Sequence, residues 1–138
     1  MKHLTPLESY AFLQANSSAV LIDVRMEIEF MYVGYPVGAI NIPWYEYPDF
    51  TPKPEEFVNA VLKVVENDKN RPVLLICRSA RRTITAGETL ANAGFSNLIN
   101  ILHGFEGDLD DALHRSTVNG WRYDGLPWQQ MWKINLKI

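Results

Sequence analysis

Hydrophobic positions along this chain follow two rhythms that alternate with each other. The apolar runs "AVLID" (19–23), "PVLLIC" (72–77) and "NLINIL" (97–102) are short and read as buried strands. "GAINI" (38–42) reads as one more strand. Between these runs the spacing turns helical. Thr5-Pro6-Leu7-Glu8 forms a capping box with proline at the first helical position, which predicts a helix over about 6–15. "MEIEFMYVG" predicts a short helix ending at Gly34, and "EEFVNAVLKVVEN" repeats its apolar residues at helical spacing. "ARRTITAGETLANAG" (80–94) predicts a helix closed by Gly94. Strands alternating with helices predict an α/β fold around a parallel sheet.

Three stretches break the pattern. "PWYEYPDFTPKP" (43–54) is aromatic and rich in proline, so it reads as a loop. Residues 103–132 hold several Gly and Pro breaks, with short helical pieces expected around "DLDDALHR". The last segment, "WKINLKI", alternates apolar Trp132, Ile134, Leu136 and Ile138 with polar Lys133, Asn135 and Lys137, a period-two strand with one apolar face. Packing on its own domain is the favoured reading of that strand, and pairing across a homodimer is the alternative.

Composition narrows the class of partner. A length of 138 residues suits one domain, here 1–138, and such a chain buries enough surface to fold without disulfides or metal. The net charge of −3 argues against a general nucleic-acid or anionic-membrane surface. No stretch has the length of a membrane span, no signal-like run opens the chain, and the lone cysteine fits a reducing interior. A cytoplasmic location is expected.

Against that acidic background, "ICRSARRT" (76–83) stands out, joining the single cysteine to Arg78, Arg81 and Arg82. Cys77 falls where a buried strand ends and a helix begins, the edge at which open α/β sheets bind ligands. Residues 78–82 are expected to curl over the sulfur with their N–H groups inward and the helix dipole behind. Helix N-termini and neighbouring arginines lower a thiol pKa from about 8.5 to roughly 3.5–7.5, so a thiolate nucleophile needs no general base. A lone cysteine is more often an inert small hydrophobe. Cations at a helix N-terminus oppose the dipole, however, and a bound anion accounts for them better.

Four segments in order resemble the rhodanese family of sulfurtransferases. "LIDVR" (21–25) is similar to the family's first strand, and "GYPVGAINIP" (34–43) to its G-H-I-P-G-A-I-N-I-P signature. "CRSARRT" (77–83) resembles the active-site loop C-R-S-G-x-R-S/T, and "GWRYDGLPW" (120–128) the closing G-W-x-x-x-G-L-P. The resemblance covers about 5–130, leaving 131–138 as an extension. It implies a single-domain rhodanese-like fold, with a mainly parallel central sheet and helices on both faces. Departures are Tyr35, Pro36 and Val37 before the second strand, Ala80 in place of the loop glycine, and the insertion "EGDLDDALHRSTVN" (106–119).

The resemblance also implies a mechanism. Cys77 would take the outer sulfur of a small anionic donor such as thiosulfate and pass it from a persulfide to cyanide or a small-molecule or protein thiol. The substrate-binding loop would comprise Arg78, Ser79, Ala80, Arg81, Arg82 and Thr83. Arg78 and Arg82 would attract the donor and support the loop, Arg81 would do the same or face solvent, and Ser79 and Thr83 would brace it. Cysteine phosphatases place five residues between cysteine and arginine. That count puts Thr83 at the arginine position here, so the loop is one residue short. A phosphatase or arsenate-reductase-like enzyme and a non-catalytic module on the same fold are the competing readings.

Other clusters carry less. Asp23 and Arg25 are read as a strand-end ion pair of small energetic weight that could also support the loop wall. Trp44, Tyr45, Tyr47 and Phe50 either cover the core or wall a pocket. "EGDLDD" lacks calcium-loop spacing, and His3, His103 and His114 lack metal-ligand spacing. No cofactor is expected.

Overall fold

The structure is a computed structural model, and residues 1–131 are described. Eleven elements follow one another among the described residues: β1 (Lys2–Leu4), α1 (Pro6–Ala15), β2 (Val20–Asp23), α2 (Glu27–Val33), β3 (Tyr35–Pro36), β4 (Ile40–Asn41), α3 (Pro54–Val64), β5 (Val73–Ile76), α4 (Arg82–Asn92), β6 (Leu98–Ile101) and β7 (Trp128–Gln129). Five strands make a sheet in the order β1-β6-β5-β2-β4. Every neighbouring pair in it is parallel. β3 and β7 pair antiparallel in a small second sheet.

The central strands are buried on both faces, which is why they read as unbroken apolar runs. Side-chain alternation splits them between two cores. Val20, Ile22, Val24, Val73 and Leu75 face the side where Phe57 and Val61 of α3 and Ala86 and Leu90 of α4 pack. Leu21, Leu74, Ile76, Ile99 and Ile101 face the side covered by Tyr10, Phe12 and Leu13 of α1 and by Phe105, Trp121 and Leu126. Each such side chain contributes roughly 1.5–3 kcal/mol on burial. Among the described residues, no helix is long and apolar enough to cross a membrane.

The predicted capping box is present: Glu8 Oε1 accepts from the Thr5 N–H at 2.9 Å, and Thr5 Oγ1 accepts from the Glu8 N–H at 3.2 Å. Gly34 and Gly94 close their helices at φ +115° and +97°, as the spacing predicts. Three expectations are corrected. The helix predicted from 80 begins at Arg82, because Ala80 sits at φ +72° and cannot belong to a right-handed helix. No helix forms around 108–115, where turns and bends run instead. There Asp110 replaces helical bonding by accepting from the N–H groups of Ala112 and His114 at 2.8 and 2.9 Å. β1, β3 and β7 were not expected, being only two or three residues long and, in β1, largely exposed. The C-terminal strand over 132–138, and with it the dimer reading, lies outside the described residues.

Candidate active site

Cys77 follows the last residue of β5 and continues its alternation, so its side chain faces the same core as Val73 and Leu75, beside Ala86 of α4. Residue 77 is 1% exposed. The sulfur thus lies at the floor of the loop and not on the surface. Its Sγ stands 3.8 Å from the buried Thr83 Oγ1, in the first turn of α4.

A strap from the opposite face fixes how the loop leaves the strand. The Phe105 N–H donates to the Cys77 carbonyl at 2.7 Å, and the N–H groups of Glu106 and Gly107 both donate to the Arg78 carbonyl, at 3.0 and 3.2 Å. Gly104 (φ +67°) allows the approach: a Cβ there would stand 2.5 Å from the Cys77 carbonyl oxygen and 2.6 Å from the Arg78 carbonyl carbon. A trans peptide directs its C=O and N–H oppositely, so the N–H groups of Arg78 and Ser79 point away from the strap. Among the described residues, none of the backbone N–H groups from Arg78 to Thr83 donates to a protein acceptor. Ala80 at φ +72° followed by Arg81 at φ −96°, ψ −52° produces the left-handed then right-handed backbone of an anion-binding nest.

The three arginines play different parts. Arg78 and Arg81 are exposed. Arg82, expected to attract the donor and support the loop, is held by Glu29 of α2 through two bonds of 2.6 and 2.9 Å, and its guanidinium lies 5.4 Å from the centre of the Tyr45 ring. Burial works against the Arg82 charge. The hydrogen bonds and charge of Glu29, with smaller contributions from Tyr45 and Cys77, outweigh it and raise its pKa above the ordinary arginine value.

Asp23 and Arg25 are paired, but they are not a solvated strand-end pair: both are fully buried, 2.6 Å apart. Their energetics are those of charges removed from water, where losing one partner is costly. Arg25 Nη2 also donates to the Gly34 carbonyl at 2.6 Å, while Nη1 has no partner among the described residues. The guanidinium stacks 4.6 Å from the centre of the Phe105 ring. Phe105 carries the N–H that holds the Cys77 carbonyl, so Arg25 supports the loop through that ring.

Of the aromatic residues, Trp44 covers the core and packs edge-on against Phe57 at 5.1 Å. Tyr45 and Tyr47 line a cleft of about 560 Å³ together with Glu27, Glu46, Asp49 and Glu56. Trp44 is thus a core cover, and the cleft that Tyr45 and Tyr47 line has none of residues 77–83 among its walls. Phe50 packs edge-on against both tyrosines and is half exposed.

Sequence reasoning did not find Glu29, Asn100 or Gly104. Asn100 on β6 accepts from Thr83 Oγ1 at 2.6 Å, and its Nδ2 stands 3.1 Å from Nδ1 of His3 on β1. Glu29 and Arg82 are 53 positions apart, and His3 and Asn100 are 97 apart, so no local spacing signals either contact.

Comparisons with known proteins agree with this architecture. The crystal structure of Rv0390 from M. tuberculosis is similar at 36% identity with a TM-score of 0.81, over 94% of this chain and 98% of that one. An uncharacterized protein of Rickettsia conorii, RC0915, is 31% identical over 135 residues, covering 94% of this chain and 98% of its own length. The thiosulfate sulfurtransferase GlpE of Glaesserella parasuis is 26% identical over 104 residues, 75% of this chain and 82% of that protein. A family model described as a rhodanese-like domain matches residues 6–110, from the first helix through the cysteine loop to the strap that holds it. The chain belongs to the rhodanese-like domain family.

Proposed function

We propose that this protein is a sulfurtransferase that carries sulfane sulfur as a persulfide on Cys77. The observation that carries the reading is that, among the described residues, the backbone N–H groups from Arg78 to Thr83 have no protein acceptor, just beyond a strand that the chain's single cysteine follows. Such a cradle stabilises negative charge on a small group, as an oxyanion hole does. The likeness to a thiosulfate sulfurtransferase supports the same chemistry.

The Cys77 thiolate attacks the outer sulfur of a donor such as thiosulfate. A new S–S bond forms, the donor's S–S bond breaks, and sulfite leaves with the bonding pair. The outer persulfide sulfur then rests among the loop N–H groups. An acceptor such as cyanide or a thiolate attacks that sulfur and restores the Cys77 thiolate. Covalent catalysis splits one transfer into two easier displacements. Arg78 and Arg81, exposed at the loop, draw the anionic donor in. Arg82 holds the loop to α2 through Glu29.

Phosphoryl transfer fits less well. The position that would carry the clamping arginine is Thr83, which is buried and bonded to Asn100, while Arg82 is engaged by Glu29. Intact-mass spectrometry after thiosulfate treatment tests the proposal. A gain of one sulfur, removed by cyanide and absent in Cys77→Ala, is expected. No gain in the unaltered protein, combined with hydrolysis of a phosphate ester, would replace the sulfur reading with the phosphatase one.

A further inference from the structure

The sulfur of Cys77 stands at one end of a hydrogen-bonded chain whose other end is the imidazole of His3, a side chain on the sheet's outer strand. The links are Cys77 Sγ to Thr83 Oγ1 at 3.8 Å, Thr83 Oγ1 to Asn100 Oδ1 at 2.6 Å, and Asn100 Nδ2 to His3 Nδ1 at 3.1 Å. Thr83 and Asn100 are buried, whereas His3 is exposed. The reaction proposed above uses the sulfur but neither Asn100 nor His3.

With the Asn100 amide oxygen toward Thr83, donor and acceptor chemistry sets the direction of each link. An amide oxygen only accepts, so the Thr83 hydroxyl proton lies on the Asn100 side. An amide nitrogen only donates, so His3 Nδ1 receives and that imidazole carries its proton on Nε2. Thr83 therefore turns lone pairs toward the sulfur, an arrangement that suits a thiol S–H and opposes a sulfur anion.

Serving the anion requires the Thr83 proton to turn toward Cys77. That would leave two acceptors, Thr83 Oγ1 and Asn100 Oδ1, facing each other at 2.6 Å. A half-turn of the Asn100 amide resolves the conflict, since its oxygen and nitrogen are nearly equal in size. Nδ2 then donates to Thr83, and Oδ1 faces His3 Nδ1, which must now carry a proton. Two hydrogen-bond patterns thus share one set of heavy-atom positions. One fits the thiol with a bare Nδ1, the other fits the anion with Nδ1–H.

We propose that Asn100 is a two-position relay that couples the charge state of the Cys77 sulfur to the imidazole of His3, with Asn100 and His3 as positioning residues for the nucleophile. The proton lost by the sulfur leaves to solvent, and the exposed imidazole takes its own from solvent, so the relay transmits orientation and not the proton itself. Coupling is reciprocal: whatever places a proton on Nδ1 favours the sulfur anion, and the anion favours that proton. Arg82, already paired with Glu29, is a charged group that also interacts with the sulfur. Lys2 neighbours His3 on β1, and among the described residues no carboxylate lies within ion-pair distance of His3.

The test uses two substitutions of one shape at this exposed position. His3→Asp places an atom that only accepts opposite Asn100, locking the relay in its thiol pattern. His3→Asn offers oxygen or nitrogen and permits both patterns. The readout is the rate at which iodoacetamide alkylates the sole cysteine at pH 7, a reaction of the thiolate. His3→Asp is expected to react about tenfold more slowly than His3→Asn, the effect of one hydrogen bond to a charged group. Thr83→Val cuts the chain while preserving side-chain shape, so in that background only the direct charge of the aspartate remains. The relay stands if the separation is at least about fivefold and falls by at least half, on a logarithmic scale, with Thr83→Val. A smaller separation, or one that persists, overturns it. Alkylation requires no sulfur donor, so the relay and the proposed function, on which its biological use rests, fail separately.

Discussion

Glu29 and Arg82 meet through two bonds of 2.6 and 2.9 Å, tying the short helix after β2 to the first residue of the helix behind Cys77. The Arg82 guanidinium is thereby engaged by a carboxylate, whereas Arg78 and Arg81 on the same loop stay exposed.

Glu29→Gln keeps the shape of this contact and removes its charge, so it is expected to cost about 1 kcal/mol at pH 7, since the pair keeps some contact with solvent. Burial pushes the Glu29 carboxyl up. The bonds and charge of Arg82, the Met26 N–H and the Arg25 charge outweigh burial and leave it below its usual 4.5. A carboxylate depressed on folding stabilises the native state above its unfolded pKa, and that contribution disappears as pH falls through the folded value. Urea melts of both proteins from pH 7 to 3 are therefore expected to converge at the acid end. A gap that stays constant with pH would show that the carboxylate charge is not what the substitution removes.

Asp23→Ala leaves the Arg25 guanidinium buried without its counter-charge. The expected loss is about 3–5 kcal/mol, several times that at Glu29. Chemical denaturation measures it directly. A cost near that of a surface pair would mean that water reaches Arg25 despite its complete burial.

Gly104→Ala introduces a methyl group 2.5 Å from the Cys77 carbonyl oxygen, on backbone already at φ +67°. The strap must withdraw, releasing the Cys77 and Arg78 carbonyls and with them the direction of the loop N–H groups. A fall in persulfide formation of at least about tenfold is expected, because N–H donors aimed at developing charge supply factors of this size or larger. Single-turnover transfer from thiosulfate, followed by mass, reads the effect. Unimpaired transfer in a folded variant would remove the strap from the account of the site.

Ala80→Gly relieves the left-handed backbone at φ +72°. L-residues other than glycine pay roughly 1–2 kcal/mol there, part of which the greater freedom of an unfolded glycine takes back. A net gain of up to about 1 kcal/mol is expected in thermal or urea unfolding. Destabilisation would mean that the Ala80 methyl makes contacts worth more than the strain.

Much of the sheet was legible because its strands are buried on both faces and apolar without interruption, as at Val73–Ile76 and Leu98–Ile101. Capping chemistry made α1 legible at both Thr5 and Glu8. What escaped reading depended on partners distant in sequence. The three residues of β1 become a strand only by pairing with β6, and Arg82 reveals its role only once α2 is placed beside it. Asp23 and Arg25 read as a weak pair because adjacency along the chain says nothing about burial. The start of α4 was misplaced by two residues because helical spacing continues through Ala80, and only its positive φ breaks the turn.

The pairing of β1 with β6 also has a kinetic consequence. Lys2–Leu4 are made nearly a hundred residues before the strand they line up against. The outer edge of the sheet, with the imidazole it carries, can therefore dock only after β6 has been made. Parallel pairings of such long sequence separation form late and slowly, so the far end of the contact chain that starts at Cys77 is set in place toward the end of folding.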